Sequence, residues 1–140
     1  LGFDLEWKPD AGSVPVALVQ LSGRSTTVII QLHKFSEFPK ALRDILEDRD
    51  ILKVGVACLQ DAQRLFRASG VLVKGCIELA ELIHRSEFGP LGIINLLDPS
   101  ICGSSLASLC HHILRIELDK SIDIRCGDWE AKELSAHQTL

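Results

Sequence analysis

The chain has 140 residues, 46% of them hydrophobic, which is enough to bury one core and too few for us to expect a second domain. A formal net charge of −4 argues against a protein that coats nucleic acid by general phosphate neutralisation, so any contact with a polyanion should be local or metal-mediated. The 5 cysteines include no CxxC pair and predict reduced, mostly buried thiols rather than a disulfide framework. No apolar run reaches the roughly 18 residues of a membrane span, and we expect a soluble intracellular protein.

Three strands are predicted at the start of the chain. Residues 1–7 alternate between apolar and acidic side chains, and residues 16–21 and 26–32 are rich in β-branched and aliphatic residues. Proline and glycine make 8–15 a loop, and the polar segment 22–25 joins the second and third strands as a hairpin. An antiparallel meander is therefore expected to open the sheet.

Helical and strand patterns alternate after this meander. The predicted elements are a helix from about Ser36, which is its candidate cap, a strand over 51–56, a helix over 61–69 that Gly70 ends, a strand over 71–79 and a helical turn over 81–85. This alternation favours parallel pairing, with helices on both faces of the sheet.

The last third of the chain has a less regular pattern. We expect an irregular insertion over 87–103, a helix over 104–113, an irregular segment over 118–129 and a further helix from Glu130 to Leu140, with Ser135 as its candidate cap. Because the sequence begins inside a strand and stops inside a helix, we expect a single domain over residues 1–140 that is part of a longer chain.

Two acids on the first strand are candidates for chemistry. Asp4 and Glu6 are two residues apart, so in a strand both project from the same face. Two neighbouring carboxylates repel each other unless a cation offsets the repulsion, and hard cations such as Mg²⁺ and Mn²⁺ take oxygen ligands. The alternative is an edge strand whose solvent face carries two acids.

Asp61 is the third candidate. It follows the strand over 51–56, at the start of the next helix, and ligands of open α/β sheets bind outside the carboxyl ends of the strands. An acid near a helix start is also favoured by the helix dipole alone. The metal-site interpretation requires the strand of Asp4 and Glu6 to lie beside the strand that precedes Asp61.

These blocks together resemble a known family. Gly2-Phe3-Asp4-Leu5-Glu6-Trp7, then Val54-Gly55-Val56 with Asp61, then Leu118-Asp119-Lys120-Ser121 with Trp129 and Leu134-Ser135 are similar, in order, to the DEDD superfamily of 3′-5′ exonucleases. The narrower resemblance is to the Werner-syndrome-type exonuclease domain and its relatives. It implies an RNase H-like fold and removal of nucleotides from the 3′ end of DNA or RNA, with nuclear DNA repair as the setting.

The resemblance also implies a division of roles among the acids. Two divalent cations, Mg²⁺ or Mn²⁺, would be shared by Asp4, with Glu6 on the side of the attacking water and Asp61 on the side of the leaving group. A fourth acid and a Tyr or His belong to a third motif, which is expected after Leu140. The 140 residues alone are therefore expected to cleave weakly or not at all, and the alternative is a catalytically incomplete module that binds nucleic acid or protein.

Three further residues are candidates for substrate binding. Trp7 is next to the acids and offers a face on which a terminal base can stack, although its position on the Leu5 side of the strand also fits a core role. Lys120 and Arg125 lie in a polar segment that the resemblance places near backbone phosphates. Solvated surface charge is the alternative for both.

Overall fold

The computed structural model describes residues 1–7, 15–85, 105–119, 121 and 127–139, with the side chains of 83–85 left out. Five strands form one sheet in the order β3-β2-β1-β4-β5. The strands are β1 (Gly2–Glu6), β2 (Leu18–Ser22), β3 (Thr27–Gln31), β4 (Lys53–Gly55) and β5 (Cys76–Glu78).

The sheet is mixed, as the sequence predicts. Strand β1 pairs antiparallel with β2, and β2 pairs antiparallel with β3, which is the expected meander. Strand β4 then pairs parallel with β1 through Gly2 and Val54, and β5 pairs parallel with β4. The acid-bearing strand β1 is therefore at the centre of the sheet, which rules out the edge-strand alternative, and β4 lies beside it as the metal-site interpretation requires.

Helices connect and follow these strands. They are α1 (Lys40–Glu47), α2 (Cys58–Ser69), α3 (Leu79–Arg85), α4 (Leu106–Leu109) continuing as a π-helical segment (Cys110–Leu114), and a final short helix (Ala136–Thr139), with a 3₁₀ turn at Leu32–Lys34. Gly70 ends α2 in the left-handed conformation, as expected for a glycine in this position. No helix in the described ranges has both the length and the apolar character needed to cross a bilayer.

The main core lies between one face of the sheet and helices α1 and α2. Phe3 and Leu5 of β1 pack there with Leu42 and Leu46 of α1 and with Leu65 of α2. Each of these side chains is almost fully removed from water, which is the main source of stability for a domain of this size.

The side chains of β2 alternate between the two faces of the sheet, and Leu18 belongs to a second, smaller cluster. There it packs against Trp129, and Ile29 and Leu134 lie around them. A third cluster places Leu109 of α4 against Val56, just beyond β4.

Several predicted boundaries are wrong. Helix α1 starts at Lys40 and not near Ser36, because Pro39 takes the N-cap position and Arg43 donates the first helical bond to the Pro39 carbonyl. Helix α2 starts three residues earlier than expected, at Cys58. The last helix, expected from Glu130, begins only at Ala136, directly after its expected cap Ser135, and there the Gln138 side chain accepts a bond from the Ser135 N–H.

The apolar run over 71–79 is only partly a strand. Its first five residues lie outside β5, where the Lys74 N–H bonds to the Leu46 carbonyl and the Gly75 carbonyl accepts from Lys53. The expected insertion over 87–103 lies outside the described residues, as do Lys120 and Arg125.

The cysteines that the structure describes are reduced. Cys58, Cys76 and Cys110 carry free thiols, of which Cys58 is buried and the other two are half-buried. Burial raises the pKa of the Cys58 thiol to about 12, and the neighbouring Cys76 thiol adds to the effect. Such a thiol stays protonated at neutral pH, which fits a structural role.

Candidate active site

Strand β1 presents Asp4 and Glu6 on one face of the sheet. In the antiparallel register Asp4 lies opposite Gln20 and Glu6 lies opposite Leu18, while Phe3 and Leu5 point into the main core. Asp4 is exposed to solvent and Glu6 is half-buried. The side chains therefore alternate between the two faces of the strand as predicted: Phe3 and Leu5 pack in the core, and the acids point away from it.

Gly55 allows β4 to approach β1 at the level of Asp4. A Cβ built on Gly55 would lie 2.5 Å from the carbonyl oxygen of Phe3, the residue that precedes Asp4. That distance is well inside van der Waals contact, so only glycine fits there without a shift of one strand. Because the two strands are this close, the short link from β4 to α2 lies beside the acids.

The amino end of α2 is held by a side chain from another strand. Ala57, at the N-cap, has no oxygen to offer and takes the left-handed conformation, with φ 60° and ψ 25°. The Glu78 carboxylate of β5 accepts bonds from the backbone N–H of Ala57 at 2.9 Å and of Leu59 at 3.1 Å. It thus acts as the cap that the local sequence lacks, and it fixes the helix turn that carries Asp61.

Replacing Glu78 by Ala is expected to lower the free energy of unfolding by about 1–2 kcal/mol, the usual cost of losing a helix cap. Urea unfolding measures the change. Glu78→Gln keeps one acceptor oxygen and should fall between Glu78→Ala and the wild type. Equal stability of Glu78→Ala and the wild type would show that these two bonds do not hold α2.

Asp61 lies in the first turn of α2 and meets Asp4. Its residue is only 6% exposed. Loss of hydration, repulsion from the Asp4 carboxyl and a hydrogen bond with that carboxyl together raise the pKa of Asp61 to about 7. The two acids, distant in sequence, therefore interact directly across the β1–α2 junction.

Glu6 belongs to the same electrostatic group. Loss of hydration and repulsion from Asp4 raise the pKa of Glu6 to about 7, and Glu6 in turn contributes to the raised pKa of Asp61. The pKa of Asp4 is also raised by loss of hydration, although the Leu5 backbone and the Asp61 side chain partly offset this effect by hydrogen bonding. Protein atoms around Asp4 thus reduce its hydration even though one side of the residue remains open to water.

The three carboxyls suit a divalent cation in their chemistry. All three supply oxygen ligands. The pKa of each is raised, so its negative charge is unfavourable in the folded chain, and a bound cation would compensate for that charge. Within the described ranges, however, no three His, Cys, Asp or Glu side chains are already placed to hold an ion. The structure brings Asp4 and Asp61 together, and Glu6 is close enough to interact electrostatically with both. The three carboxyls are not arranged as a complete coordination shell for a cation.

The raised pKa values predict how stability depends on pH without metal. The folded state binds these protons more tightly than the unfolded chain, so the free energy of unfolding should fall as pH rises from about 4 to about 7. Asp61→Asn removes one ionisation. In EDTA it should match the wild type near pH 4 and exceed it by on the order of 2–3 kcal/mol at pH 8. These pKa values would be contradicted if the free energy of unfolding changed with pH in the same way for Asp61→Asn and the wild type. Asp44→Asn, on the exposed surface of α1, is the matched control.

Trp7 contacts a residue that the sequence interpretation did not single out. The Trp7 ring is half-buried against the main core, and the guanidinium carbon of Arg64 lies 3.9 Å from its centroid. The structure therefore supports the core role for part of Trp7, and its role in base stacking stays a prediction. Because Trp7 and Arg64 belong to elements far apart in the chain, no local spacing in the sequence signals this contact.

Comparison with known proteins places the chain among nucleases. A family model described as 3′-5′ exonuclease matches residues 1–140. Exonuclease 3′-5′ domain-containing protein 2 of Homo sapiens is 38% identical over 147 residues, which cover 100% of this chain and 22% of that protein. The bifunctional 3′-5′ exonuclease/ATP-dependent helicase WRN of Mus musculus is 29% identical, over 100% of this chain and 10% of its own length. The chain thus spans a minor part of these relatives.

Solved structures agree with the sequence comparison. The crystal structure of the EXD2 exonuclease domain soaked in Mn and dGMP matches with a TM-score of 0.57 and 35% identity, covering 99% of this chain and 66% of that one. The expected fold, an α/β domain of the RNase H-like class with a mixed sheet, is confirmed.

Proposed function

The chain belongs to the 3′-5′ exonuclease family, and from this we propose that it hydrolyses phosphodiester bonds at the 3′ ends of nucleic acid with the help of divalent cations. One observation supports the proposal above all others: Asp61 of α2 meets Asp4 of β1. Without a ligand that both can share, this meeting costs stability, because the Asp4 carboxyl disfavours the charge of Asp61.

The proposed roles of the acids come from the resemblance to the exonuclease family. Asp4, whose charge acts on both of the other carboxyls, would contact both cations. Glu6 would hold the cation on the side of the attacking water, and Asp61 would hold the cation on the leaving-group side. When bound, such cations lower the pKa of water and stabilise charge on the leaving oxygen. The chain itself supplies the fixed spacing of the carboxyls, through the β1 pleat for Asp4 and Glu6 and through the Glu78 cap for Asp61.

The choice of cation and substrate is part of the proposal. Carboxylate oxygens suit Mg²⁺ and Mn²⁺, and a structure of the EXD2 exonuclease domain was obtained with Mn and dGMP. We expect a nucleic-acid 3′ end as the partner, with Lys120 and Arg125 near its phosphates. The fourth acid and the Tyr or His expected after Leu140 complete the proposed site, and a nuclear role in DNA repair stays a prediction.

A degradation assay with single strands labelled at either end tests the proposal. It should use the 140-residue chain and a longer form of the protein that continues past Leu140. With Mn²⁺, a 5′-labelled strand should give a ladder of shortened products, while a 3′-labelled strand should release labelled mononucleotide at once. EDTA should abolish both results, and the longer form should be the more active.

Two other outcomes would redirect the assignment. Cleavage that starts at the 5′ end or continues in EDTA would contradict the proposed chemistry. Binding of Mn²⁺ and of a single strand without cleavage, in the longer form as well, would favour the catalytically incomplete binding module.

A further inference from the structure

Arg64 lies at the edge of the acid group formed by Asp4, Glu6 and Asp61, and the proposed function gives it no role. It is one helical turn beyond Asp61 on α2, and residues three apart on a helix share a side. Its positive charge acts on the Asp61 carboxyl and favours the ionised form, which partly offsets the other influences on the pKa of Asp61. Among the residues that the structure describes, Arg64 is therefore the cation whose charge acts directly on Asp61.

The Trp7 ring holds this cation in place. The guanidinium carbon of Arg64 is 3.9 Å from the centroid of the ring, and Trp7 follows Glu6 directly in the chain. Both residues are half-buried. A half-buried pair of this kind restricts the long arginine side chain, so less conformational entropy remains to be lost when the guanidinium binds a partner.

The contact with Trp7 leaves the hydrogen-bonding capacity of the guanidinium available. An aromatic face accepts no conventional hydrogen bond, and a guanidinium has five N–H donors. Arg43 on α1, in contrast, uses a donor on the Glu47 carboxylate at 3.2 Å. In the ranges that the structure describes, Arg64 forms no ion pair of this kind.

A phosphate group fits this arrangement. The chain carries a net charge of −4, and the site concentrates three acids, so an approaching nucleotide meets repulsion. The planar fork of an arginine binds two phosphate oxygens at once, with stronger bonds than a neutral donor provides.

We propose that Arg64, held against Trp7, donates hydrogen bonds to a phosphate of the nucleotide at the 3′ end of the substrate. This inference rests on the proposed function, since it places the phosphate beside the acids of the same site. Trp7 then contributes by orienting Arg64. The alternative role for Arg64 is only to balance the charge of Asp61.

Binding of a nucleotide and of its nucleoside separates these two roles. The probes are dGMP and deoxyguanosine, titrated calorimetrically into the 140-residue chain at a saturating concentration of Mn²⁺. Arg64→Gln should weaken dGMP binding about tenfold or more, the effect expected for a lost hydrogen bond between charged groups. Arg64→Lys should give a smaller loss, because an ammonium keeps the charge without the fork.

Two controls accompany this comparison. Deoxyguanosine lacks the phosphate, so its affinity should change less than about twofold in Arg64→Gln. Arg67→Gln removes the same charge from an exposed position on the same helix and should bind dGMP like the wild type. Mn²⁺ affinity of Arg64→Gln should stay the same or rise, because the variant loses a positive charge near Asp61.

The contrary results are distinct. The proposal is overturned if Arg64→Gln binds dGMP like the wild type, if it loses dGMP and deoxyguanosine equally, or if the wild-type chain binds Mn²⁺ but no dGMP. A wild-type chain that binds no Mn²⁺ would instead overturn the proposed function, and the Arg64 proposal with it.

Discussion

Replacing Asp4 by Asn should reduce the metal-dependent release of nucleotides by about 10³-fold or more, since bound cations supply several kcal/mol of transition-state stabilisation. Asp4 is the acid that acts on both of the others, and it is the one proposed to contact both cations. The substitution keeps the size and shape of the side chain. It should leave the fold intact and even relieve repulsion within the acid group in the absence of metal.

The measurement is the single-turnover rate, with Mn²⁺, of the longer form that continues past Leu140, together with the midpoint of urea unfolding in EDTA. Asp44→Asn is the matched control, because it removes a carboxylate from α1 whose partner is the exposed Lys40. Its rate should equal that of the wild type. Full turnover by Asp4→Asn would remove Asp4 from the catalytic group, whereas a loss of unfolding cooperativity would mean that the rate reports on folding.

Gly55→Ala should produce the largest loss of stability among the single substitutions considered. The added methyl would lie 2.5 Å from the Phe3 carbonyl oxygen, and backbone of a central strand cannot move aside as a flexible side chain can. Overpacking of this kind costs about 3 kcal/mol or more. The displaced β4 would also carry the start of α2, and hence Asp61, away from Asp4.

Urea unfolding and Mn²⁺ binding measure the two consequences of Gly55→Ala. Gly23→Ala is the matched control, because a Cβ there would be an ordinary 3.6 Å from the Thr26 carbonyl oxygen. That variant should lose less than about 1 kcal/mol, as surface substitutions usually do. If the two variants were equally stable, the close approach of β4 to β1 would not constrain the site.

Local periodicity predicted the first half of the sheet well. Strands β1 and β3 lie within the predicted segments, and β2 extends one residue beyond its segment, to Ser22. Alternating side chains and a short polar connection specify such a meander without help from distant residues. The parallel half followed from the alternation of strand and helix. The same-face placement of Asp4 and Glu6 needed only the period of a strand.

Positions decided by contacts outside the alternating strand pattern were not predictable in this way. Lys53 reads as a polar position on a strand, yet it is fully buried, where its ammonium group donates to the backbone carbonyls of Asp48 at 2.6 Å and Ile51 at 2.7 Å. The short extent of β5 has a similar origin, since Lys74 bonds to α1 instead of continuing the ladder.

The candidate site was also predictable only in part. The sequence placed Asp61 beyond a strand end, and the resemblance to the exonuclease family joined it to Asp4. The Glu78 cap of α2 and the stacking of Arg64 on Trp7 are contacts between elements far apart in the chain, and no local motif specifies either. The sequence placed the start of this helix at residue 61, so it did not indicate that the N-cap is Ala57, a residue without a capping oxygen.

A Mn²⁺ binding isotherm, followed by electron paramagnetic resonance of the free ion, tests most directly whether the three acids act together on a cation. The wild-type chain should bind Mn²⁺, and Asp4→Asn, Glu6→Gln and Asp61→Asn should each weaken that binding by about tenfold or more, the effect of losing one charged ligand. Asp44→Asn should bind like the wild type. Unchanged Mn²⁺ affinity and stoichiometry in all three site variants would contradict the account.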